Sequence, residues 1–141
     1  MQRLNPYLMF NGNCREAMEF YNRTFQGELQ ISTYGEQSGN AEYPEEAAPL
    51  VMHSILTVGG IVIMASDHLP GERSNAGDMI SLAIDCSSKD ELIMLFDKLS
   101  KAGKVSMPVQ ETFWGAVFGI CTDAFGVQWM LNFDQPVAGD N

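Results

Sequence analysis

One arrangement of apolar runs occurs twice along the chain, and this duplication restricts the possible folds more than any other feature. Residues 4–10 and 79–85 read as strands, and an amphipathic helix follows each. In the first half Asn13 stands at the helix N-cap with Glu16 three residues on, the spacing of a capping box. Ala17, Phe20, Tyr21, Thr24 and Phe25 then recur at helical period, and Gly27 closes the helix at its C′ position. In the second half Ser88 and Glu91 repeat the cap. Leu92, Leu95, Phe96 and Leu99 repeat the stripe, and Gly103 repeats the stop. After Gly27 come strand-like 28–35, 50–58 and 61–66; after Gly103 come 104–114, 116–122 and 127–133. The order β-α-β-β-β, written twice, predicts an α+β fold of two βαβββ modules with mixed, mainly antiparallel sheets. The modules span 1–68 and 79–135, with a connector at 69–78 and a C-terminal tail at 136–141. Residues 36–49 are polar and acidic and read as a surface loop, with a lid over a ligand as the alternative.

Side chains alternate between the two faces of a strand. Leu8 and Phe10 are expected beneath the first helix, leaving Asn5, Tyr7 and Met9 on the far face. Ile80, Leu82 and Ile84 are expected beneath the second helix, opposite Met79, Ser81, Ala83 and Asp85. Gly59-Gly60 between apolar runs signals a two-residue hairpin, which pairs Val58 with Ile61, Ile55 with Met64 and His53 with Ser66. Directly paired residues share a face, so His53, Ile55, Val62, Met64 and Ser66 lie together. In the last strand Gln128 and Met130 are assigned to the mixed face, and Trp129 and Leu131 to the core. Two such mixed faces are expected to curl into a cup.

Charge narrows the function. Eight Lys and Arg against eighteen Asp and Glu give a formal charge of -10, which opposes approach to nucleic acid or anionic lipid. No run nears the ~18 apolar residues of a membrane span, and Met1-Gln2-Arg3-Leu4-Asn5-Pro6 does not read as a secretion signal. Cys14, Cys86 and Cys121 are odd in number and follow no zinc spacing, so free, largely buried thiols in a reducing, cytoplasmic compartment are expected. No Walker loop, dinucleotide fingerprint, Gly-x-Ser-x-Gly elbow or His-Glu-x-x-His occurs.

Two longer stretches carry a family resemblance. Asn5-Pro6-Tyr7-Leu8-Met9-Phe10, then Asn11-Gly12-Asn13-Cys14-Arg15-Glu16-Ala17 and Phe20-Tyr21, resemble the opening of PhnB-like proteins. Gln110-Glu111-Thr112-Phe113-Trp114, Phe118-Gly119, Thr122-Asp123, Phe125-Gly126 and Trp129-Met130 resemble the same group. These proteins belong to the vicinal oxygen chelate superfamily, with glyoxalase I and the fosfomycin-resistance proteins. The resemblance implies paired βαβββ modules forming a cup, and a homodimer. It also implies a divalent metal held by His and Glu, one ligand from each of four strands, acting as a Lewis acid on vicinal substrate oxygens. Alignment by strand and hairpin landmarks puts Asn5, Met64, Met79 and Met130 at those positions. A neutral amide oxygen and three thioethers are poor ligands for a hard divalent ion, so the reading is a metal-free, mostly apolar cup.

The favoured function is therefore small-molecule binding, with Asn5, Tyr7, Met9, Met64, Ser66, Met79, Ser81, Trp114, Gln128 and Met130 as ligand contacts. The alternative is an enzyme, metal-independent or divergent and metal-dependent, using His53 and Glu111 for proton transfer. Each residue also has an ordinary structural reading. His53 can be a buried imidazole bonded to a neighbour such as Ser66, Glu111 an exposed strand carboxylate, Trp114 a packed ring, and the methionines core filler. Cys121 is a further candidate for the cup, and His68 is expected to face solvent. The cup holds no inferred Lys or Arg, which argues against a phosphonate substrate. No glycine-rich adenosyl-binding turn supports methyl transfer.

Overall fold

Both expected modules form, each as a four-stranded mixed sheet carrying one helix. The computed structural model describes residues 1–37 and 42–136, and the chain divides into two units, Met1–Asn75 and Ala76–Asn141.

The first unit runs β1 (Tyr7–Phe10), α1 (Cys14–Phe25), β2 (Glu28–Thr33), β3 (Val51–Val58) and β4 (Ile61–Asp67). Its sheet order is β1-β4-β3-β2, with β1 parallel to β4 and the other pairs antiparallel. The Gly59-Gly60 hairpin has the expected register, with Val58 opposite Ile61 and Ile55 opposite Met64. Helix α1 buries Cys14, Ala17, Met18, Tyr21 and Thr24, so Cys14 and Met18 complete the stripe and Phe20 is only half-buried. Asn13 makes no side-chain cap. The carboxylate of Asp67, at the end of β4, accepts Gly12 N at 3.0 Å and Cys14 N at 2.9 Å instead, capping the helix from the sheet. Within 36–49, Glu45–Ala47 forms a 3-10 turn whose Ala47 is fully buried, and Gly35 N donates to Ala48 O at 3.0 Å. The middle of that loop, 38–41, lies outside the described residues, as do residues 137–141 of the tail.

The second unit runs β5 (Leu82–Asp85), α2 (Lys89–Ser100), β6 (Lys104–Glu111), β7 (Ala116–Thr122) and β8 (Gln128–Asp134), with sheet order β5-β8-β7-β6. Ser88 caps α2 as expected, its hydroxyl accepting Glu91 N at 3.0 Å, while Glu91 Oε1 accepts Ser87 N at 2.9 Å. Leu92, Leu95, Phe96 and Leu99 are buried. Trp129 and Leu131 pair with the half-buried Leu82 and Ile84 and are themselves buried on the core side, as expected.

Two strands are shorter than their apolar runs suggest. The run 79–85 pairs only from Leu82, leaving Met79 and Ile80 90% and 71% exposed. Its parallel partner β8 starts at Gln128, and Val127 before it is already spent in a turn. Asp123 takes Val127 N through its carboxylate and donates its own N–H to Val127 O. The run 104–114 ends at Glu111, because Thr112 closes a turn onto Ala116 and Gly115 adopts φ 87°.

The two helices end differently, α1 at a left-handed C-cap and α2 at an extended one, Lys101, with the left-handed residue one position later. The left-handed residue is Gln26 in one and Ala102 in the other, at φ 56° and 61°, rather than the glycine that follows. Gly27 and Gly103 are needed for another reason: a Cβ there would strike Thr57 O in the first unit and Thr122 O in the second.

Candidate functional site

In the first unit, α1 packs on one face of the sheet. Leu8 pairs with Ala65 and Ala65 with Ser54, and Cys14 Sγ lies 3.7 Å from Ser54 Oγ, which marks this as the helix side. The opposite face carries Tyr7, Met64 and Ile55 in one row across three strands, with Met9 beside Ser66. Tyr7 and Met9 are 45% and 40% exposed, so this face is open at β1.

His53, Tyr7 and Ser66 meet on this open face. The Tyr7 hydroxyl lies 3.1 Å from His53 Nδ1 and is also hydrogen-bonded to Ser66 Oγ. The Ser66 hydroxyl donates to Met52 O at 2.8 Å. The Tyr7 and His53 rings are tilted by 33° with centroids 5.9 Å apart. Sequence alternation placed all three on one face, but the direct partner of His53 is Tyr7, with Ser66 one bond further on. Asn5 is half-buried just before β1, where Pro6 O accepts Met64 N at 3.1 Å.

In the second unit, Ala83, Met130 and Ile120 form the corresponding row on the face away from Trp129. Gln128 is engaged in structure: its amide donates to Gly77 O at 3.1 Å and Ile80 O at 3.4 Å, tethering the connector. Ser81 is half-buried beside it, and Met79 stands free of the strand. Cys121 pairs with Trp129 and is fully buried, so it belongs to the core face and not to a cup. Trp114 sits in the β6–β7 turn, 58% exposed, edge-on to Phe113 at 4.9 Å and to Phe118 at 6.3 Å. Glu111 Oε1 lies 3.7 Å from Lys89 Nζ and accepts from Gln135 Nε2 at 3.3 Å, both partially exposed contacts.

His68 departs from expectation. Its side chain is 19% exposed, Nδ1 lies 3.8 Å from Glu72 Oε2, and Nε2 is buried with no hydrogen-bond partner. Its backbone N–H continues the sheet by donating to Phe10 O at 2.9 Å, which draws the residue inward. The ring lines a recess of about 310 Å³ with Asn11, Leu50, Pro70 and Arg73.

Among the described residues, no three His, Cys, Asp or Glu side chains stand together in a way that could hold a metal ion. At the positions that the resemblance aligns, the first unit offers the amide oxygen of Asn5 and the thioether of Met64 and the second the thioethers of Met79 and Met130, donors that do not fit a hard divalent ion. The thiols are equally unsuited to nucleophilic work. Burial pushes Cys14 up to about 12 and both Cys86 and Cys121 up to about 11, so all three stay protonated at neutral pH.

The sequence suggests Asp67 only as a possible metal ligand beside the histidines, and its structural role is not foreseen. Asp67 is 1% exposed and accepts a third backbone donor, Val51 N, at 2.9 Å, joining α1, β3 and β4 at one carboxylate. An acid closing an apolar strand was the available signal.

Residues 2–132 match the family model described as 3-demethylubiquinone-9 3-methyltransferase. Protein YjdN of Escherichia coli (strain K12) is 38% identical over 139 residues, covering 92% of this chain and 93% of that protein. The crystal structure of protein PA1353 from Pseudomonas aeruginosa is 38% identical with a TM-score of 0.84, covering 96% of this chain and 100% of the other. A PhnB protein from Bacillus cereus is 30% identical with a TM-score of 0.78, covering 94% and 99%. Structures of glyoxalase/bleomycin resistance/dioxygenase type, 16% and 15% identical with TM-scores of 0.62 and 0.66, share the fold.

Proposed function

The chain belongs to the PhnB-like family of the vicinal oxygen chelate superfamily, matched over residues 2–132, and we propose that within it this protein binds a small organic molecule without a resident metal. The observation that carries this reading is the Tyr7–His53–Ser66 cluster on the open face of the first sheet, set among Met9, Ile55 and Met64. Apolar walls with a few fixed polar groups are the usual make-up of a small-molecule site. Methionine side chains adapt to the shape of what they touch. Of the ligand contacts inferred from sequence, this proposal keeps Asn5, Tyr7, Met9, Met64 and Ser66, on or beside the open face of the first sheet, and adds His53, the candidate for proton transfer. Tyr7, His53 and Ser66 are the polar anchors, and Asn5, Met9 and Met64 stand beside them.

The chain has no glycine-rich adenosyl-binding turn to support the methyl transfer named in the description of the family model. A second reading is metal-independent proton transfer by His53, favoured by the hydrogen bond at Nδ1 that fixes the orientation of the ring. Glu111, its suggested partner, is occupied with Lys89 and Gln135. The proposal includes a homodimer, supported by the exposed Phe113 and Trp114, and a cytoplasmic setting, supported by three free buried thiols.

The test is a protein-observed NMR screen of a mixture of neutral and anionic metabolites against the folded full chain. Binders that shift His53 and Tyr7 resonances are expected. A well-folded protein that binds nothing, or binders that leave both residues unmoved, would overturn the reading.

A further inference from the structure

Three hydroxyl and imidazole hydrogens around Tyr7 have few places to go. Ser66 has one hydroxyl hydrogen, and Met52 O, which can only accept, receives it at 2.8 Å. In the Tyr7–Ser66 contact the donor is therefore the Tyr7 hydroxyl. With that hydrogen committed, the Tyr7 oxygen meets His53 Nδ1 at 3.1 Å as an acceptor, so Nδ1 must carry the hydrogen.

We infer that the series Met52–Ser66–Tyr7 holds His53 as its Nδ1–H tautomer, so that the neutral ring presents Nε2 as a hydrogen-bond acceptor, and that the ligand is an apolar molecule offering it a neutral N–H or O–H donor. This rests on the reading of the open face as a binding surface. The ligand class follows from what surrounds the acceptor. Met9, Ile55 and Met64 offer apolar contact, and no Lys or Arg occupies an open-face position of β1 to β4. Glu28 lies at the edge of that face, so an anion would find no compensating charge there. A lone pair at Nε2 rewards a donor and repels a carboxylate or phosphate oxygen. Tyr7 and Ser66 are positioning residues here, acting through the imidazole.

The experiment uses full-length ¹⁵N-labelled protein at a pH where the ring is neutral. Long-range proton–nitrogen correlation distinguishes a protonated ring nitrogen from one with a lone pair. The expected spectrum shows His53 Nδ1 protonated and Nε2 bare, and Tyr7→Phe, which removes the acceptor, abolishes that bias while the fold persists. Indole and 1-methylindole then serve as probes with the same apolar body, one with an N–H and one without. Indole is expected to shift His53 Nε2 and to bind about fivefold more tightly than 1-methylindole, the difference of roughly one hydrogen bond. An Nε2–H tautomer would overturn the inference while leaving ligand binding by the face intact. A bare Nε2 with equal affinity for the two probes, or with no response to indole, would overturn the ligand class.

Discussion

The Asp67 carboxylate, near the C-terminal end of one strand, accepts the backbone N–H of Cys14 at 2.9 Å and so supplies the N-cap that Asn13 does not. Because Gly12 and Val51 donate to the same buried group, its removal strands three backbone donors at once. Asp67→Ala is expected to cost about 3–5 kcal/mol, and Asn13→Ala under about 0.5 kcal/mol. Urea unfolding midpoints at unchanged slope provide the measurement. Equal losses for the two variants would contradict the assignment of the cap.

The glycines that end the helices differ in kind from those in the hairpin. A Cβ at Gly27 or Gly103 would strike strand backbone, whereas Gly60 faces open space and has no positive φ. Gly27→Ala and Gly103→Ala are each expected to destabilise their unit by about 2 kcal/mol or more. Gly60→Ala is expected to stay within about 0.5 kcal/mol of the parent in thermal unfolding.

The buried thiols make stability depend on alkaline pH. Cys14 is raised from 9.0 to about 12, and Cys86 and Cys121 from 9.0 to about 11, chiefly by burial. Below pH 9 both folded and unfolded chains hold these protons, so the thiols leave stability unchanged with pH. Between pH 9 and the folded values the unfolded chain sheds them while the folded chain keeps them. Each thiol then lowers stability by about 1.4 kcal/mol per pH unit. Urea unfolding at pH 8 and pH 10.5 should show a smaller alkaline loss in Cys14→Ala than in the parent. The native thiols should also resist a disulfide reagent at pH 8 until the protein is unfolded.

Phe113 is 98% exposed and packs edge-on against Trp114 in the β6–β7 turn, an exposed apolar pair of the kind that marks an interface. If it serves the proposed homodimer, light scattering will give the mass of two subunits. Phe113→Ser with Trp114→Ser will then weaken association at least tenfold with little change in the unfolding of the monomer. A monomeric parent would remove the dimer from the proposal.

Periodicity carried most of the architecture. The order of both units and the Gly59-Gly60 register follow from local pattern, because a two-residue hairpin leaves pairing little freedom. The common face of Tyr7, His53 and Ser66 follows from alternation once that register is set. Longer-range competition was invisible. Asp67 displaces Asn13 as the cap from the far end of another strand, and the internal turn from Asp123 to Val127 removes the partner that Ile80 would need. Cys121 was misplaced because its face depends on pairing with Trp129 across β8, and His68 because its backbone joins Phe10. The hydrogen bond from His53 to Tyr7 spans 46 residues, and only the parallel β1–β4 pairing brings the two together.

Binding by the open face of the first sheet is tested most directly by methyl NMR on protein labelled at its nine methionines. The strongest binder from the metabolite screen is titrated in while all nine methyl signals are followed. Met9 and Met64 should shift in a saturable manner, with buried Met18 and the α2 residue Met94 unmoved. Saturable binding that leaves Met9 and Met64 in place would contradict the proposed site.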